Sequence, residues 1–281
     1  SLCGNQDIES IAKANEICDR LGMDTISAGN ALAFTMECYE KGIITIEDTG
    51  GVELTFGNHA AMITTLRKIA YRENFGNVLA EGVKKAAEII RKGSEMIAVH
   101  VKGLELPGFD PRGLKGVALA IAVSGRGACH LRHMAYRPNL TGYHPFGKGR
   151  IDRLSYRGQA EMIKEQEDFY TLIDSMVLCK FVCLPTIGPI LWEELIKLYS
   201  IITGIKVEKK DLVIVAERIN NLIKLFNVRE GISRKDDTLP ERFIKEPLRG
   251  QVVKEGTLRR MLDKYYKLRG WNRKGIPKEK N

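Results

Sequence analysis

A chain of 281 residues, 44% hydrophobic and 28% charged, can bury a sizeable core and by length forms one large or two smaller globular domains. No apolar run of about 18 residues and no apolar leader is seen, so neither membrane spanning nor export is expected and the cytoplasm is the default expectation. The net charge of +9 is interleaved with acids rather than gathered on one face, so no nucleic-acid partner is expected, and six cysteines without a C-x-x-C pair argue against a disulfide framework and a self-contained zinc site.

Helical periodicity dominates from the first residues onward. Ile8, Ile11, Ala14, Cys18 and Leu21 mark the apolar stripe of a first helix, and Gly22 is its left-handed stop. A second helix is predicted from about Asn30 to Lys41 with Ser27 as cap and Gly42 as stop. Glu47 to Phe56 reads as a turn with a short extended piece, Asn58 caps a helix through Tyr71, and Asn77 to Lys92 forms another. These four helices make a compact first unit, and the boundary falls near Gly93 to His100. Met96 to Val101 is a short β-like run, with Glu105 the outward residue of the extended segment that follows. A long Gly- and Pro-rich loop leads to a nearly all-apolar, buried helix at Leu114 to Val123. Ser124 to Arg153 reads as a long loop, functional or disordered, and helices follow at Arg157 to Cys179, Pro189 to Ile202, Lys209 to Asn227 and Thr257 to Leu268. The concentrated basic run from Lys264 to Lys280 reads as a solvated face. The predicted fold is all-α (multihelical), with helical subdomains at residues 1–99 and 100–281.

Asp174 breaks the apolar pattern in the last turn of its helix, where an acid opposes the macrodipole, and Cys179 follows where the chain leaves toward Pro185. The arrangement recurs at Asp19, followed by Gly22, Met23 and Asp24. By spacing alone these acids read as solvated or backbone-capping groups, or as a pseudo-symmetric pair of clamps on one ligand. His130, in Gly127-Ala128-Cys129-His130-Leu131-Arg132-His133, follows the buried helix where an imidazole can reach a cavity or serve structure. Asp110-Pro111-Arg112-Gly113 reads as a turn, with Arg112 free to line a cavity.

The two segments Asp19 to Asp24 and Asp174 to Cys179 resemble the paired Asp-x-x-Gly-Leu-(Cys/Asp) motifs of the tungsten-containing aldehyde ferredoxin oxidoreductase family. Five other stretches agree in order: Asp24 to Ser27, Leu104 to Gly113, Arg126 to His130, Asp237 to Phe243 and Tyr265 to Trp271. The likeness covers essentially the whole chain, which looks like domains 2 and 3, the C-terminal half, of members about twice this length.

The resemblance implies a tungsten (or molybdenum) bis-molybdopterin held by Asp19, Gly22, Met23 and Asp24 on one side and by Asp174, Leu178 and Cys179 on the other. It implies Arg132 near the cofactor, His130 as the catalytic residue beside the metal, and Cys179 as the fourth thiolate of a [4Fe-4S] cluster. The reaction implied is oxidation of an aldehyde substrate to a carboxylate, with electrons passed to ferredoxin. The positive charge suits a phosphate-bearing cofactor and an acidic carrier. Val177 stands where the family usually has Gly, and Lys13 and Glu16 stand where some members carry a Glu-x-x-His iron pair, so no interface iron is predicted, although a homodimer is possible. In the family the other three cluster cysteines, a phosphate-binding domain and an active-site glutamate lie upstream of the position of Ser1. The expectation is therefore a missing N-terminal half or partner subunit, and an isolated chain without activity. Two alternatives stay open: a relative reducing an aromatic acyl thioester on the same cofactor, and a cofactor-free helical subunit that only packs against a partner.

Overall fold

Asp7, Asp24 and Asn58 each accept a hydrogen bond from the backbone N–H three residues on, at 2.8 to 3.0 Å, and each opens a helix. The computed structural model describes residues 2–147, 149–183 and 190–278, and among these the chain forms twelve α-helices and one two-stranded ribbon. In order they are α1 (Ile8–Arg20), α2 (Thr25–Glu40), α3 (His59–Tyr71), α4 (Phe75–Leu79), α5 (Gly82–Ile90), β1 (His100–Val101), β2 (Leu104–Glu105), α6 (Lys115–Val123), α7 (Tyr136–Thr141), α8 (Gln159–Ser175), α9 (Trp192–Thr203), α10 (Lys209–Arg229), α11 (Glu241–Lys245) and α12 (Glu255–Arg269). The fold is mostly helical, as the periodicity predicts. None of the described helices is long and apolar enough to cross a membrane.

The chain divides into two compact units, the first formed by Ser1–Gly108, Arg126–Ala128 and Leu239–Glu246. Its core joins Ile17 and Cys18 of α1 to Leu32 and Met36 of α2 and to Met62 and Leu66 of α3, and a second cluster gathers Phe34, Cys38, Leu79, Val83 and Ala87. The buried side of α1 runs through Ser10, Ile17 and Cys18, so Ile8 and Ile11 of the expected stripe lie exposed. Helix α2 starts five residues before the predicted Asn30, because Asp24 and not Ser27 is its cap.

The single helix expected over Asn77 to Lys92 is two. Gly82, at φ +81°, turns the chain between α4 and α5, and the Glu105 carboxylate accepts the Val83 N–H at 2.7 Å at the new N-terminus. Glu105 also accepts the Ser27 hydroxyl at 2.8 Å. It is therefore a buried group, not the outward residue predicted. Strands β1 and β2 pair antiparallel through Lys102 and Gly103, both at positive φ as a two-residue hairpin of this type requires. Gly127 lies against this hairpin so closely that a Cβ would stand 2.2 Å from the Val101 carbonyl oxygen.

The second unit comprises Phe109–Gly125, Cys129–Thr238 and Pro247–Asn281. All nine residues of α6 are buried, including Lys115, whose ammonium donates to the carbonyls of Arg112 (2.7 Å) and Val252 (2.9 Å). Helices α8, α10 and α12 lock together through Arg269, which ion-pairs with Glu167 and Asp168 with its side chain fully enclosed; Asn220 of α10 donates to Asp168 at 3.2 Å. The basic run expected to be a solvated face thus sends one arginine into the interior. The expected long loop over Ser124 to Arg153 contains α7, too short for periodicity to reveal. The predicted start of α9 at Pro189, and Pro185 after α8, lie outside the described residues.

Candidate functional site

Helix α1 ends with the Met23 N–H bonded to the Cys18 carbonyl at 2.9 Å and the Gly22 N–H to the Asp19 carbonyl at 3.5 Å. Helix α8 ends the same way, with Leu178 N–H on the Ile173 carbonyl at 3.0 Å and Val177 N–H on the Asp174 carbonyl at 3.1 Å. Both patterns need a left-handed residue after the helix, supplied by Gly22 at φ +69° and by Val177 at φ +57°. Asp19 and Asp174 therefore hold one and the same position relative to two superposable turns. Met23 and Leu178, the next equivalent pair, are half-buried and pack on the cores of their respective units. Beyond them the turns diverge. Asp24 is committed to capping α2, whereas Cys179 is exposed and its carbonyl accepts the Val182 N–H of the following 3-10 turn at 3.0 Å.

In the first unit, Asp19 is exposed and accepts Asn15 Nδ2 at 3.2 Å, so both of its oxygens retain acceptor capacity. In the second unit, Asp174 is paired with Lys180 through Oδ1 and with Arg132 through Oδ2, the latter at 3.6 Å. One acid between two bases leaves a net positive locus at this helix end, which offsets the unfavourable macrodipole and suits an anion. Lys180 also lies 5.5 Å from the centre of the Tyr170 ring. Sequence reasoning singled out Arg132 and missed Lys180. The available signal was a base directly following Cys179, but only the 3-10 turn brings it back onto Asp174.

His130 is half-buried, with its ring centre 5.9 Å from Phe109 and 6.0 Å from Tyr136, which stack on each other at 4.3 Å. His133 is fully buried, its Nδ1 accepts the Ala135 N–H at 3.1 Å, and burial pushes its pKa down to about 3. Of the six cysteines only Cys179 is exposed; burial pushes the Cys183 thiol up to about 11, and Arg137 donates to the Cys183 carbonyl at 3.0 Å. Arg112 turns back onto Asp110 within its own turn, at 2.7 Å. Among the described residues, no three His, Cys, Asp or Glu side chains converge as a metal-holding group.

The profile of aldehyde ferredoxin oxidoreductase, domains 2 and 3, matches residues 1–281. The chain belongs to this family. It is 40% identical to the tungsten-containing aldehyde ferredoxin oxidoreductase of Pyrococcus furiosus and 38% identical to that of Thermococcus kodakarensis, in each case over 99% of this chain and 45% of the relative. It is also 30% identical to the WOR-like subunit of an aliphatic sulfonate oxidoreductase of Pyrococcus furiosus, over 96% of this chain and 41% of that protein. The chain thus spans less than half the length of these curated relatives. Among solved structures, the active-site complex BamBC of benzoyl coenzyme A reductase with 1,5-dienoyl-CoA shares its fold at a TM-score of 0.78 and 23% identity, over 96% of this chain and 45% of that one.

Two stretches that carried the resemblance to the aldehyde ferredoxin oxidoreductase family serve packing here. In Tyr265 to Trp271, Tyr265 bonds Glu167, Tyr266 bonds Asp237 and Trp271 donates to Asn221 at 2.7 Å. In Asp237 to Phe243, Asp237 pairs with the buried Lys224 at 2.8 Å and Arg242 pairs with Glu37 at 2.5 Å.

Proposed function

We propose that this chain is the cofactor-holding region of a tungsten enzyme that oxidises aldehydes to carboxylates. The observation that carries the reading is the pair of superposable helix ends, each offering an exposed aspartate at the same place after the same left-handed turn. The fit to a bis-molybdopterin lies in the donor set. The carboxylates of Asp19 and Asp174 would accept N–H donors of the pterins, and Arg132 and Lys180, paired with Asp174, would offset anionic charge there. When bound, the tungsten or molybdenum bis-pterin supplies the two-electron oxidation, and a [4Fe-4S] cluster the passage of single electrons to ferredoxin.

The chain's own residues then bind and orient. Asp19 and Asp174 accept hydrogen bonds, Gly22 and Val177 set the turns, and Met23 and Leu178 anchor them to the cores. Asp24, engaged with Ser27 N–H, contributes by fixing the start of α2 next to the first turn. His130, aligned by Phe109 and Tyr136, donates to or takes a proton from the substrate oxygen. Cys179, the exposed thiol, contributes one cluster ligand, and the remaining ligands come from polypeptide beyond these residues or from a partner.

Reduction of an aromatic acyl thioester by the same arrangement is the second reading, favoured by the fold shared with the benzoyl coenzyme A reductase complex. Identity of 40% against 23% puts aldehyde oxidation first. Elemental and pterin analysis of the protein purified from its natural source tests the proposal. Stoichiometric tungsten or molybdenum with two pterins is expected; a metal-free, pterin-free protein overturns it in favour of a helical packing subunit.

A further inference from the structure

Phe146, Phe169 and Tyr170 wall a cavity of about 350 Å³ within the second unit. The ring centres of Phe146 and Phe169 lie 4.7 Å apart, and Phe169 meets Tyr170 edge-on at 5.4 Å. An apolar cavity of about 150 Å³ takes up benzene, so this one has room for a single ring and its substituents. Aromatic walls set at steep angles to one another give a flat guest both stacked and edge contacts.

Two polar side chains say what that ring carries. Among the described residues that line the cavity, Arg137 alone is charged. Its Nη1 donates to the Cys183 carbonyl at 3.0 Å and it also serves the Tyr170 hydroxyl, but no described carboxylate pairs with it. A guanidinium has five N–H donors, so donors remain for a ligand. The enclosed hydroxyl and thiol of the wall do not supply the missing charge, since burial pushes Tyr170 up to about 12 and Cys183 up to about 11. A cation without a counter-ion among apolar walls favours an anion. Gln166, only 1% exposed, lines the same cavity, and its Oε1 has no hydrogen-bond partner, a cost that a donor on the ligand removes. The terminal torsion of glutamine is soft, so the amide turns this acceptor toward a ligand at little cost. We propose that the cavity binds a free single-ring aromatic carboxylate bearing a ring hydroxyl. The ring lies among Phe146, Phe169 and Tyr170, the carboxylate meets Arg137, and the hydroxyl donates to Gln166. The inference needs neither the metal nor the pterins.

Titration calorimetry of the complete protein at pH 7 tests the inference with benzoate, benzamide, acetate, and 3- and 4-hydroxybenzoate as probes. Benzoate is expected to bind at least about tenfold more tightly than benzamide, which lacks the charge, and than acetate, which lacks the ring. The better of the two hydroxybenzoates should bind more tightly again, by about threefold to tenfold. Arg137→Met is expected to erase the advantage of benzoate over benzamide. Gln166→Leu, which replaces an unpaired acceptor by an apolar group of similar size, should erase the advantage of the hydroxybenzoate over benzoate. The comparison among probes on the parent protein stands even where a variant fails to fold. Benzoate binding no tighter than benzamide or acetate, or no gain from a ring hydroxyl, overturns the inference. So does a folded Arg137→Met or Gln166→Leu protein that keeps the parent's order of affinities.

Discussion

Val177 holds a β-branched side chain in the left-handed region, at φ +57°, in the turn whose counterpart uses Gly22 at φ +69°. The left-handed conformation costs an L-residue about 1 to 2 kcal/mol, and Val177 is 90% exposed, so little packing offsets it. Val177→Gly is expected to stabilise the protein by about 1 kcal/mol, read as a higher urea midpoint at unchanged slope; an unchanged or lower midpoint contradicts the strain. His133 is the second residue with a sharp consequence. Its folded pKa of about 3 lies below the ordinary imidazole value of about 6.5, so on acidification the unfolded chain takes up the proton first. The stability it supports is complete above pH about 6.5 and is lost as pH falls toward 3. In His133→Asn, the side-chain oxygen can still accept the N–H two residues on, and the loss of urea stability between pH 7 and 4.5 should be smaller than in the parent. Equal losses would assign the acid sensitivity elsewhere. At this scale the sequence shows which residues are charged but not which distant groups they meet. Asp19 and Asp174 were legible as equivalents because the turn that makes them so is local, whereas Glu105 meets Ser27 and Lys180 folds back onto Asp174 only once the chain is folded.

At the scale of elements, long periodic segments read correctly. Helices α1, α3 and α10 lie close to their predicted spans because an apolar period and a capping side chain act within one segment, and α6 does so because an unbroken apolar run marks a buried helix. The misses have physical causes of their own. Helices α7 and α11 are too short to display a period, and the break between α4 and α5 turns on one glycine capped from another element by Glu105. The burial of Arg269 is a tertiary effect, since a basic residue enters the interior only where Glu167 and Asp168 wait for it. Arg269→Ala leaves two buried carboxylates without their cation and is expected to destabilise the protein by about 3 to 5 kcal/mol in urea unfolding. A loss below about 1 kcal/mol would show that the α8–α12 junction rests on apolar packing instead.

For the molecule as a whole, the same helix-end device occurs once in each of the two units. Each ends a long helix in the same turn, anchors it with Met23 or Leu178, and exposes an aspartate; only the second adds an exposed thiol and two cations. The pairing of Asp19 with Asp174 was visible in the sequence, and its backbone basis in the hydrogen bonds was not. Because both carboxylates are exposed and neither is enclosed in a core, removing either should spare the folded chain. The most direct measurement is the tungsten and pterin content of the complete enzyme carrying Asp19→Ala or Asp174→Ala, purified in parallel with the parent and matched in circular dichroism. Losing one or more charged hydrogen bonds of about 1.5 to 3 kcal/mol each should leave both variants markedly depleted of metal and pterin; full occupancy in both would contradict the assignment of these helix ends to the cofactor.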